Sequence, residues 1–116
     1  MMAIHDHTAK VQYIADFEQR LGVTFKAVSI FSEEGYDEQN CTVTARGEVH
    51  ALQGNEIRRN TQINVTVYDG EQRVVGTSST TVNADEFYGF DAFEISVSVP
   101  VPATQVATIK IYPRKW

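Results

Sequence analysis

The sequence predicts a mainly β protein, an antiparallel β-sandwich of six or seven strands with one N-terminal helix. Short segments rich in β-branched and aromatic residues alternate with polar ones at period two, as half-buried strands do. Turn signals separate these segments, and no strand–helix alternation repeats along the chain, which argues against a parallel α/β sheet. A period near 3.6 occurs once, at the front. The expected division is a tail and helix over residues 1–22 and a sandwich domain over 23–116.

Val11, Ile14, Phe17 and Leu21 recur at spacings of three, three and four. This predicts a helix from Thr8 to Leu21, capped by Thr8 or Asp6 and stopped by Gly22 in the left-handed conformation. A strand over Lys10 to Ile14 is the competing reading. Such a helix would cover an open end or edge of the sandwich, or pair with another copy.

Val23 to Phe31 reads as the first strand, and the acidic stretch Ser32 to Asn40 as a loop. Cys41, Val43, Ala45, Gly47 and Val49 then alternate with Thr42, Thr44, Arg46 and Glu48, which predicts a half-buried second strand. After the turn-like Leu52 to Glu56, Ile63, Val65 and Val67 alternate with Gln62, Asn64, Thr66 and Tyr68. Asp69-Gly70, with Gly70 at positive φ, suits a hairpin into Arg73 to Thr77, and Ser78 to Val82 extends that strand or crosses to another sheet. Asn83 to Gly89 is a longer link. Phe93, Ile95, Val97, Val99 and Val101 form the next apolar face, and Pro100 and Pro102 should take that strand out of its sheet or along an edge. Val106 to Tyr112 is the last strand, closed by Pro113.

At 116 residues the chain is one domain in size, and 42% hydrophobic with 22% charged residues is globular usage, so wholesale disorder is a poor reading. A formal charge of −5 gives no broad cationic field for nucleic acid or anionic lipid. One cysteine excludes an intrachain disulfide. Met1 to His7 lacks the form of a secretory signal, and no stretch approaches the roughly 20 apolar residues of a membrane span. A full-length chain would therefore be cytoplasmic, and a chain trimmed of a leader or anchor would belong to the cell envelope or be secreted. Asn40-Cys41-Thr42 and Asn64-Val65-Thr66 fit the glycosylation pattern, which matters only in a eukaryotic secretory pathway.

Gly47-Glu48-Val49-His50-Ala51, then Ile63-Asn64-Val65-Thr66-Val67-Tyr68-Asp69-Gly70, then Arg73-Val74-Val75-Gly76, resemble the FxLYD domain over residues 43–110. In that family a strand carrying G-x-V-x-N precedes a strand ending in the name motif, a tight turn and a β-branched strand. A late phenylalanine, here Phe93, opens a further strand. Tyr68 and Asp69 keep the family letters; Val65 and Val67 replace its Phe and Leu, and Ala51 stands near its Asn. The resemblance implies an immunoglobulin-like sandwich of bacterial or archaeal type, often of the cell envelope, and brings no catalytic residues with it.

His5-Asp6-His7 has the donors for Zn²⁺ or Ni²⁺, but a terminal segment is expected to be a solvated tail. Two acidic groups, Glu33, Glu34, Asp37 and Glu38, and Asp85, Glu86 and Asp91, suit a hard cation such as Ca²⁺ by donor type, yet neither has EF-hand spacing. Both read as solvated loops, and no metal or cofactor is assigned. Cys41, in phase with Val43, reads as a core residue, and His50, out of phase, as a surface one. No phosphate-binding glycine loop, HExxH or GxSxG occurs, so no catalytic residues are assigned. Tyr36 and the run Phe87-Tyr88-Gly89-Phe90 fall between strands, where aromatics plug a sandwich end or recognise a partner or glycan. The candidate contact residues are Tyr36, Asp85, Glu86, Phe87 and Tyr88. The expected function is a non-enzymatic immunoglobulin-like interaction module for a protein partner, possible as a homodimer; the alternative is a carbohydrate-binding β-sandwich.

Overall fold

The computed structural model describes residues 4–36 and 39–116. Two sheets of four strands face each other. One joins, side by side, β1 (Ile4–Asp6), β3 (Val23–Glu34), β4 (Cys41–Ala51) and β7 (Phe90–Val99). The other joins β2 (Val11–Tyr13), β8 (Val106–Lys115), β5 (Thr61–Asp69) and β6 (Val74–Val82). Neighbours are antiparallel except β2 and β8, which run parallel. The registers place Glu34, Cys41, Val99, Asp69 and Val106 at one end of the sandwich, here the upper, and Ala51, Phe90, Thr61, Val82 and Lys115 at the lower.

The β-sandwich with one helix is as the alternating patterns predict, with eight strands among the described residues rather than six or seven. The two extra strands lie in the amino-terminal segment, and they change its reading. His5-Asp6-His7 is not a solvated tail: β1 pairs with β3, and His7 is 2% exposed. The helix α1 spans Ala15–Leu21, not Thr8 to Leu21. Residues Val11 to Tyr13 pair with Ile109 to Ile111 instead. Ladder hydrogen bonds to a buried strand outweigh a helical turn that would carry a β-branched residue, and Ile14, at the N-cap, offers no side-chain acceptor. Gly22 ends α1 as expected, at φ 72°, its N–H donating to the Glu18 carbonyl at 2.8 Å. The division expected at residue 22 is thus crossed by both sheets.

Ile63, Val65 and Val67 of β5, Val43, Ala45 and Val49 of β4, and Ile95, Val97 and Val99 of β7 fill the space between the sheets, with Ile109 and Ile111 of β8. Cys41 belongs to this core. β5, the most buried strand, is covered on both faces: Thr66 Oγ1 lies 3.0 Å from Tyr112 Oη and 3.3 Å from Thr77 Oγ1 on the outer one. Asn64 is also buried, so the second glycosylation pattern lies inside the fold.

Three further details depart from the sequence reading. β3 continues through Ser32, Glu33 and Glu34, which were expected in a loop. The β5–β6 turn runs over Gly70 to Arg73, and its positive φ, 63°, falls on Gln72 rather than Gly70. β8 runs on past Pro113 to Lys115. The proline is tolerated because β2 covers β8 only as far as Ile111; its hydrogen-free nitrogen meets no described strand on that side.

Candidate interaction site at the lower end

The predicted contact residues divide between the two ends of a molecule 45 Å long. Tyr36 is fully exposed at the upper end, in the link between β3 and β4. Asp85 and Glu86 lie in a 3-10 turn, Ala84–Glu86, at the lower end, where both are exposed. That turn is tied down by the Ala84 N–H, which donates to Asn60 Oδ1 at 2.9 Å. Phe87, expected among the contacts, is 5% exposed and belongs to the core. A link that crosses between sheets must close the end of the sandwich, and Phe87 is the side chain that does so. Its neighbour Tyr88 is 80% exposed.

Two residues outside the predicted set complete this surface. Phe90 is half-exposed and stacks on His50, with ring centroids 5.4 Å apart and planes at 19°. They are direct cross-strand partners of β7 and β4. Both are out of phase with the core positions of their strands, which was the available signal; the pairing itself depends on a register between strands distant in sequence. His50 Nε2 lies 2.9 Å from Glu48 Oε1, which orients the imidazole.

The backbone between Tyr88 and Phe90 is fixed on both sides. Gly89, at φ 90°, donates from its N–H to the Asn55 carbonyl at 2.8 Å, and its own carbonyl accepts from the Ala51 N–H at 3.0 Å. Tyr88 is thereby held beside a groove of about 540 Å³ lined by Gln53, Asn55, Glu56, Ile57 and Arg58. An exposed aromatic ring next to an amide, a carboxylate and a guanidinium can stack on a ligand and exchange hydrogen bonds with it.

The two histidines considered for metals are otherwise engaged. His5 Nε2 lies 3.2 Å from Glu34 Oε1, and both ring nitrogens of His7 have partners, Ser32 Oγ at 2.7 Å and Lys10 Nζ at 3.1 Å. Glu33 and Glu34 are on β3 and Asp91 is on β7. Asp37 and Glu38 lie outside the described residues. Among the described residues, no three His, Cys, Asp or Glu side chains gather as a metal site would require. No helix among them is long and apolar enough to cross a membrane.

No family model matches the chain, and no curated protein matches it. A solved structure that does match is that of a beta-glucuronidase from glycoside hydrolase family 2. The TM-score is 0.47 and the identity 11%, over 82% of this chain and 11% of that one. The chain therefore spans about a ninth of that enzyme's length, and the likeness is too distant to bear on activity.

Proposed function

We propose that the chain is a non-enzymatic interaction module, an immunoglobulin-like sandwich that binds a protein partner through its lower end. The observation that carries this reading is the pair Tyr88 and Phe90, both exposed, on a backbone pinned by hydrogen bonds on each side of Gly89. Rigid aromatic side chains at a surface give contact area at low entropic cost, which is why they anchor interfaces. The FxLYD resemblance fits the fold side of this reading, since Tyr68 and Asp69 close β5 at a hairpin and Asp69 serves that turn.

Site-specific photo-cross-linking tests it. A benzophenone amino acid at position 88, in the expressing cell, should give discrete protein adducts that the same probe at Thr104, on the upper side of the fold, does not. Equal labelling at both positions would refute the reading, as would turnover of an ester, phosphate or glycoside that is lost on substituting Asp85 and Glu86.

The second reading is a carbohydrate-binding sandwich. It is favoured by the groove beside Tyr88, where Gln53, Asn55, Glu56 and Arg58 supply sugar-type hydrogen-bonding groups next to an aromatic face. A glycan array decides it: hits abolished by Tyr88→Ala support it, and an empty array removes it.

A further inference from the structure

A second surface at the lower end has a different chemistry. Between α1 and the end of β8 lies a groove of about 390 Å³ lined by Phe17, Arg20, Leu21, Arg59, Pro113, Arg114 and Lys115. Pro113 is buried and Phe17 and Leu21 are half-buried, forming an apolar floor; the four cationic residues are exposed around it. No carboxylate lines the groove. Asp16 on α1, and Asp85 and Glu86 after β6, belong to neighbouring segments but not to its walls.

Of the ten Lys and Arg residues, two find a carboxylate partner among the described residues. Arg46 does so with Glu94 at 2.8 Å, and Arg73 with Asp69 at 3.0 Å. Among the described residues, none of Arg20, Arg59, Arg114 and Lys115 forms an ion pair. They come from three separate segments, so the cluster is a product of the fold and not a run of like charges.

The groove also borders an open sheet edge. β2 accompanies β8 only along Ile109 to Ile111, and Phe17 packs edge-on against Tyr112. No described strand lies beside Pro113 to Lys115 on that side. An open edge with an apolar floor and a cationic rim is complementary to an extended chain carrying negative charge and at least one apolar side chain.

We propose that this groove docks an extended acidic peptide segment of a partner protein, with an apolar side chain seated on Phe17, Leu21 and Pro113 and carboxylates on Arg59 and Arg114. The proposal rests on the interaction-module reading but uses other side chains than Tyr88 and Phe90. A nucleic acid fits less well. Its phosphates form a regular track, whereas these cations surround one groove, and Phe17 is the one aromatic that lines it, which provides no series of stacking platforms.

The test is fluorescence anisotropy on the whole protein with a labelled glutamate-rich peptide carrying a central leucine. Saturable binding is expected, weakened about tenfold or more by the double substitution Arg59→Glu with Arg114→Glu, and weakened likewise by serine in place of the leucine. It should fall as salt is raised. The four cations are exposed, so the variants should keep the parent melting curve, which circular dichroism checks. The proposal is overturned if the charge reversal leaves affinity unchanged, or if a lysine-rich peptide binds equally. It is likewise overturned if oligothymidylate of equal charge displaces the peptide, or if sedimentation shows the groove filled by a second copy. Tyr88→Ala should leave peptide binding intact; peptide binding without cross-links at position 88 removes only the lower-end aromatic site.

Discussion

The Lys10 ammonium lies 3.1 Å from His7 Nδ1 and donates to the Val106 carbonyl at 2.9 Å. An ammonium has no lone pair to offer, so Nδ1 is the acceptor. The imidazole hydrogen therefore sits on Nε2 and donates to Ser32 Oγ at 2.7 Å. His7 is held neutral, as one tautomer, where the chain leaves β1 and crosses to the other sheet.

Protonation of His7 should loosen this crossing. Burial, then the Lys10 charge, lowers its pKa from 6.5 to about 4. The unfolded chain takes up the proton first as pH falls, so the stability tied to neutral His7 is complete above about 6.5 and is lost between there and about 4. The loss is on the order of 3 kcal/mol. Urea midpoints across that window should decline in the parent protein and show a flatter profile in His7→Gln. An equal slope in both would remove His7 as the cause.

Asp69 should control the β5–β6 turn. Its Oδ1 accepts from the Glu71 and Arg73 N–H groups at 2.9 and 3.0 Å, and its Oδ2 accepts from Arg73 Nε at 3.0 Å. Asn can keep the first two bonds and Ala none, so melting temperature should fall in the order parent, Asp69→Asn, Asp69→Ala. The backbone donors at Arg73 and Glu71 hold its carboxyl below the usual carboxylate range, with burial opposing them. Its contribution is therefore present above about pH 4 and lost below, outside the His7 window. Similar melting of all three proteins would contradict the role.

The strands β4, β5 and β7 were legible because each sets one face against the core, and period two records that directly. The amino-terminal segment was not. The spacing of Val11, Ile14, Phe17 and Leu21 suits a helix, while the partner that claims Val11 to Tyr13 is β8, almost the whole chain away. The turn after Asp69 was visible as Asp-Gly, but its length follows from how far the carboxylate reaches. Of the site, Tyr88 was found from its place between strands. The His50–Phe90 stack and the four-cation groove required a register and a packing that no local pattern encodes.

Gly76→Ala should destabilise by about 1–3 kcal/mol. Gly76 lies in β6, where that edge strand meets β7 and the two sheets close on each other. A Cβ there would stand 2.7 Å from Val97 Cγ1, 2.8 Å from Val99 Cγ1 and 3.1 Å from the Ser98 carbonyl. The valines are core residues and the carbonyl is backbone, so none can yield cheaply. Chemical denaturation of the single variant checks this, and restoring stability by adding Val97→Ala would identify the crowded partner.

Adjacent aromatics at the lower end should behave oppositely. Phe87 is buried in the core, so Phe87→Ala removes a packed ring and should cost about 3 kcal/mol or more. Tyr88 is 80% exposed, so Tyr88→Ala should change stability by less than about 0.5 kcal/mol. The binding readouts reverse that ranking. Loss of glycan hits in Tyr88→Ala at an unchanged melting temperature would separate recognition from folding. A large stability loss in Tyr88→Ala would instead mean that its ring packs against the protein, and would withdraw it from the contact surface.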